Sequence, residues 1–194
     1  MKILGIIPAR FASTRFPGKP LIDILGKSMI QRVYEQSIKS KSLTKVVVAT
    51  DDQRIFDHVK AFGGNVAMTS NSHNTGTDRC LEAFSIESEK FDAVINIQGD
   101  EPAIDPRQLD LLSEVFSDPT CQIATLAMKI SSTEILLDPS KIKLVLDSNQ
   151  NALYFSRQAI PFHSGPQQDW LLDHTYFKHI GIYGFRADVL KEVG

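Results

Sequence analysis

With 194 residues the chain has the length of about one domain, taking ~150 residues as typical. Its 21 Lys+Arg and 23 Asp+Glu leave a net charge of −2, and 42% hydrophobic residues with 11 Gly and 9 Pro exclude collagen-like and disordered chains. A pI near 6.2 shows no basic excess of the kind a general nucleic-acid binder carries.

From the amino terminus, KILGIIP is a continuous apolar run ended by a proline, the pattern of a strand buried on both faces. Broken by Pro8 and Arg10, it is too short for the core of a signal peptide. Ile30, Val33, Tyr34 and Ile38 then recur at helical spacing, and KVVVAT reads as a second buried strand. Ile55, Phe56, Val59 and Phe62 stripe a helix that Gly63-Gly64 would cap. NVAM suggests a short strand, Cys80, Leu81 and Phe84 a helix, AVINIQ a third strong strand, Leu109, Leu112 and Phe116 a further helix, and IATLAMKI another strand. After about Ile130 the rhythm changes. KLVLD and ALYF flank a polar SNQN and predict a hairpin, HSGPQQD reads as a surface loop, and KHIGIYGF as a last strand.

Strand–helix alternation of this kind predicts an α/β fold with a mainly parallel sheet wrapped by helices, as one domain over residues 1–194 with a β-rich excursion near 130–185. No run approaches the ~18 apolar residues of a membrane span, so neither a membrane nor a nucleic acid is an expected partner. Cys80 and Cys121 stand apart, without CxxC or zinc spacing, and read as two buried thiols of a reducing, cytoplasmic compartment.

Ligands of open α/β sheets bind beyond the carboxyl ends of the strands, and three such ends carry unusual residues. The segment PARFASTRFPGKP (8–20) holds Arg10, Arg15 and Lys19 with no acidic residue from Met1 to Ile22. Its small Ala12, Ser13 and Gly18 let backbone N–H groups approach an anion, which suits a polyphosphate; a solvated basic loop is the plainer alternative. Ser13 stands where a Walker A loop needs glycine, and no GxGxxG follows a strand. In QGDEP (98–102), Asp100 and Glu101 leave a buried strand, where a carboxylate can hold Mg²⁺ beside phosphate oxygens; the alternative is a surface turn. In HNTGTDR (73–79), Thr77 or Asp78 could N-cap a helix, or Thr75, Gly76 and Thr77 could bring hydroxyls and backbone against a nucleobase. Arg157, His179 and Tyr183 add polar groups late in the chain. His179 and Tyr183 are of types more often packed than catalytic, whereas a guanidinium at Arg157 matches a carboxylate through two hydrogen bonds.

IIPARFASTRFPGKPL, VVATDD, TGTDR, INIQGDEP, the run from KLVLD through ALYFSRQAIPF, and KHIGIYGFRADVL together closely resemble the 3-deoxy-manno-octulosonate cytidylyltransferase (CMP-Kdo synthetase) family, in order from Ile3 to about Leu190. The resemblance implies a three-layer α/β/α, Rossmann-like, nucleotide-diphospho-sugar transferase fold. It also implies transfer of CMP from CTP to Kdo, with release of diphosphate, for lipopolysaccharide biosynthesis. By that resemblance Arg10, Arg15 and Lys19, with Ala9, would hold the triphosphate, and Thr75, Gly76 and Thr77 would lie near the cytidine. Asp100 would bind Mg²⁺ and form the catalytic set with Arg10 and Lys19, while Gln98, Arg157, His179 and Tyr183 would face the sugar. Family members also form homodimers and usually continue further, with a second metal-binding aspartate. The chain ending at Gly194 thus reads as apparently lacking that carboxyl-terminal segment. The competing expectations are a nucleotide-binding module without turnover, a CMP-sialic acid synthetase, and a plain structural α/β domain.

Overall fold

The computed structural model describes residues 1–12 and 16–193, the side chain of Gln168 excepted. The chain forms two compact units, one of residues 1–124 with 182–194 and the other of residues 125–181.

The first unit begins with β1 (Ile3–Ala9), a 3-10 turn at Lys19–Leu21, the short strands β2 (Asp23–Ile24) and β3 (Lys27–Ser28), and α1 (Met29–Ser37). It continues through β4 (Lys45–Thr50), α2 (Gln53–Ala61), β5 (Val66–Met68), α3 (Gly76–Ile86), β6 (Ala93–Asn96) and α4 (Pro106–Glu114). The larger strands pair in the order β5-β4-β1-β6, all parallel, with Ile6 opposite both Val47 of β4 and Asn96 of β6. Both faces of this sheet are covered, which is why its strands are continuous β-branched runs rather than alternating ones. Leu4, Ile6, Val47, Ala49 and Val94 point into a core shared with Cys80 and Ala83 of α3. On the opposite face Gly5 leaves room for neighbours: a Cβ there would stand 2.9 Å from Leu43 and 3.0 Å from Ile97.

Each crossover helix starts on a capping residue present in the sequence. Ser28 accepts from the Gln31 N–H at α1, Asp52 from Arg54 at α2, and Asp105 from Arg107 at α4, where Pro106 occupies the first turn. Gly63, at φ 80°, ends α2 in the left-handed conformation that glycine adopts most readily, as its Gly-Gly pair predicts. Of the two thiols expected to be buried, only Cys80 is. Cys80 is fully buried, its pKa pushed far up by burial, whereas Cys121 is only partly buried because it lies in an irregular connection rather than on a core face.

β7 (Ile123–Lys129) carries the chain into the second unit, which holds α5 (Thr133–Leu137), β8 (Lys143–Leu146), β9 (Ala152–Ser156) and α6 (Trp170–Asp173). β8 and β9 form the predicted antiparallel hairpin, Leu144 opposite Phe155; the Asp147 carboxylate accepts from the Asn149 and Asn151 N–H groups to close its turn. The surface loop read from HSGPQQD contains a 3-10 turn at Gln167–Asp169 leading into α6. Trp170 explains this order: its indole N–H donates to the Gly165 carbonyl at 2.8 Å, and its ring packs on a small core of Ile130, Leu136 and Tyr176. β10 (Phe177–Arg186) returns the chain to the first unit, where Tyr183–Arg186 pair antiparallel with β6 before α7 (Ala187–Val193). The first unit's sheet is therefore mixed but mainly parallel. Among the described residues no helix is long and apolar enough to cross a membrane.

Candidate active site

Because β1 and β6 are adjacent and parallel, the segments that follow them leave the sheet at the same edge. Pro8, Ala9, Arg10, Lys19, Pro20, Gln98, Gly99 and Asp100 line a cavity of about 200 Å³ there. Gly99 permits the close approach of the two segments, since a Cβ would sit 2.8 Å from the Pro8 carbonyl oxygen.

Lys19 is placed by local geometry. Gly18, at φ 72°, donates its N–H to the Phe11 carbonyl at 2.9 Å and accepts from the Leu21 N–H, which sets the 3-10 turn carrying Lys19. The Arg54 guanidinium lies 3.3 Å over the Phe11 ring, at the base of the same segment. From its turn Lys19 donates its ammonium to Asp100 Oδ2 at 2.7 Å. Asp100 itself lies clear of the buried strand. Its side chain is 52% exposed, because it lies on the turn beyond Ile97 rather than in the strand. Glu101 is the more buried of the two, and burial, helped by the neighbouring Asp100 charge, raises its carboxyl above the usual range.

Arg10 reaches in the other direction and donates to the Thr75 carbonyl at 3.0 Å. Thr75, not Thr77 or Asp78, is the N-cap of α3. Its hydroxyl accepts from the Asp78 N–H, and the Asp78 carboxylate accepts from the Thr75 N–H in a reciprocal capping box. These bonds, the Thr75 side chain first, hold the Asp78 carboxyl below its ordinary value. A Cβ on Gly76 would stand 3.5 Å from the Pro8 ring, so the first turn of α3 lies against the end of β1. Thr77 is the second helical residue. Ala9, Arg10, Lys19, Gln98 and Asp100 thus surround one cavity, with Thr75 and Gly76 tied to it through Arg10 and Pro8.

Arg15 and Ser13 lie outside the described residues. Tyr183 stands opposite Asn96 in the strand register, stacks on Phe185 with ring centroids 6.3 Å apart, and has its hydroxyl pKa raised by burial. Arg157 and His179 belong to the second unit. Arg157 donates to the Pro139 carbonyl at 2.9 Å. His179 Nε2 shares a 2.8 Å hydrogen bond with the Thr125 hydroxyl, its ring meets Phe155 edge-on, and burial lowers its pKa and favours the neutral ring.

One constellation escaped the sequence reading. Arg79 is fully buried and donates to Asp51 at 2.8 Å and to the Thr69 hydroxyl at 2.5 Å. Its signal was an arginine on the same helix face as Cys80 and Ala83, with a carboxylate directly after KVVVAT. Among the described residues no group of three or more His, Cys, Asp or Glu could hold a metal by itself. A single exposed aspartate fits an ion that takes its other oxygens from phosphate and water, as Mg²⁺ does.

The cytidylyltransferase family model matches residues 4–194. A 3-deoxy-manno-octulosonate cytidylyltransferase of Parabacteroides distasonis is 54% identical over 100% of this chain and 78% of its own length. One from Escherichia coli is 46% identical over 98% of this chain and 74% of its own. Among solved structures, a CMP:2-keto-3-deoxy-manno-octonic acid synthetase complexed with CTP superposes with a TM-score of 0.90 at 44% identity, covering 100% of this chain and 77% of that one.

Proposed function

This chain belongs to the 3-deoxy-manno-octulosonate cytidylyltransferase family, and from that membership we infer that it transfers CMP from CTP to the anomeric hydroxyl of Kdo, releasing diphosphate. The reading rests on one observation above others: Arg10, Lys19, Gln98 and Asp100 line a single cavity. In the reaction the sugar oxygen forms a bond to the α-phosphorus as the bond to the diphosphate oxygen breaks. Positioning and neutralisation of charge carry most of the catalysis in such transfers.

Arg10 and Lys19, joined by Arg15, hold the triphosphate, with Ala9 supplying backbone beside it. Lys19 donates to Asp100. The triphosphate offers that ammonium several anionic oxygens in place of one carboxylate. Thr75, Gly76 and Thr77 present the amino-terminal turn of α3 to the cytidine, where hydroxyls and backbone N–H groups can hydrogen-bond the base. Gln98 and Tyr183 face the acid sugar; by the family resemblance Arg157 would suit its carboxylate and His179 would serve as a neutral hydrogen-bonding group. Asp100 would hold Mg²⁺, which would supply positive charge beside the phosphate oxygens. The chain is read as a single cytidylyltransferase domain that acts as a homodimer in the cytoplasm on the route to lipopolysaccharide.

Diphosphate release tests this reading. It is expected with CTP, Mg²⁺ and Kdo together, and absent when sialic acid replaces Kdo. Asp100→Asn should slow it by at least about 100-fold while shifting stability by no more than about 1 kcal/mol, since the Lys19 pair it breaks is half exposed. CTP binding without diphosphate release would instead identify a nucleotide-binding module. Release with sialic acid in place of Kdo would point to the sister enzyme.

A further inference from the structure

Among the described residues, Arg79 and Lys143 are the fully buried basic side chains. Lys143 is accounted for by two carbonyl acceptors in its own neighbourhood, those of Asp138 and Lys141. Arg79 is harder to explain as a stabilising residue. Its charge is out of water, it faces one carboxylate, and its Nε has no partner among the described residues. It is also the fourth residue of α3, near the positive end of the helix dipole, where a cation is disfavoured. Burying a guanidinium against one carboxylate adds little to stability and can lower it.

What Arg79 does achieve is geometric. Its two outer nitrogens bind different elements: Asp51 directly after β4, and Thr69 directly after β5. The planar fork therefore ties the second turn of α3 to the ends of two strands at once. Four residues earlier, Arg10 from the end of β1 holds the Thr75 carbonyl. The segment from Thr75 to Arg79 is thus pinned at both ends by guanidinium groups.

We infer that Arg79 is a positioning residue for nucleotide binding: clamped by Asp51 and Thr69, it sets where the first turn of α3 presents Thr75, Gly76 and Thr77. The inference rests on the reading of those three residues as the cytidine side of the site. Arg79 touches no reacting atom in this account, so its loss should weaken nucleotide binding and leave the sugar and the chemical step nearly unchanged.

The experiment measures CTP binding with Mg²⁺ by calorimetry in the absence of Kdo, together with kcat, KM for Kdo and thermal unfolding. Arg79→Met should weaken CTP by about tenfold, the order of one charged hydrogen bond, with kcat at saturating CTP and KM for Kdo within about twofold of wild type. The replacement removes a buried charge but leaves the Asp51 carboxylate without its guanidinium, so its Tm should fall, and CTP affinity is compared at a temperature where the variant is folded. Arg79→Lys keeps the charge but cannot bridge both partners, and should not restore binding. Thr69→Val removes one arm of the clamp without exposing a charge, and should weaken CTP by about threefold even if the arginine variants do not fold. Wild-type CTP affinity in a folded Arg79→Met or Thr69→Val, or a loss in kcat with CTP affinity intact, would overturn the inference while leaving the proposed function standing. A wild-type chain that binds no CTP would sink both.

Discussion

Glu101 sits one residue past Asp100, which lines the cavity, and is the more buried of the two carboxylates. Burial, with the adjacent negative charge second, raises its pKa above the ordinary ~4.3 of an unfolded chain. The folded state therefore holds the proton more tightly than the unfolded state. This contribution to stability is full below the unfolded pKa and is lost as pH rises through the folded one. Glu101→Gln lacks that loss. Urea midpoints of the two proteins, compared from about pH 4 to about pH 7, should separate in favour of the glutamine variant as the pH rises. Parallel curves would show that Glu101 meets no desolvation in solution. Asp100 beside it is the more exposed carboxylate, and the Lys19 ammonium already balances its charge.

At the scale of elements, α3 carries more of the site than its length suggests. Thr75 ends a loop and opens the helix, and the Arg10 bond and the capping box both converge on it. Thr75→Ala should cost about 1 kcal/mol, within the ~0.5–2 kcal/mol range of lost N-caps, and should also weaken CTP; Thr75→Ser should recover most of both. Urea unfolding beside CTP titration reads the two effects separately. The sequence reading put the cap at Thr77 or Asp78 and passed over the T-x-x-D spacing of Thr75 and Asp78. The choice fell to Thr75 because the helix has to start where its first turn meets Pro8 at the end of β1. The hairpin of β8 and β9 was legible because its turn is closed by near neighbours in sequence. The short helix at Trp170–Asp173 was not, because a single tryptophan anchors it to a core assembled from Ile130, Leu136 and Tyr176.

For the molecule as a whole, a ligand that binds only the folded chain stabilises it by mass action. CTP with Mg²⁺ at ~100 times its dissociation constant should add about 2.7 kcal/mol, read as a rise in Tm. The rise should shrink in Lys19→Met at the same CTP concentration, although the pair that Lys19 forms with Asp100 is too exposed to matter to the free protein. An unchanged rise in that variant would remove Lys19 from the triphosphate site.

The amino-acid sequence alone determined the alternation of strands and helices, the glycine that ends α2, the mainly parallel sheet and the family. Those features depend on the period of apolar side chains and on residues a few positions apart, which a linear pattern records directly. Only the tertiary structure decided that Lys19 rests on Asp100, that Arg10 holds Thr75, and that Arg79 is buried between Asp51 and Thr69. The first two contacts join residues 81 and 65 positions apart. They exist because the order β5-β4-β1-β6 brings the ends of particular strands together, and no local pattern encodes that order.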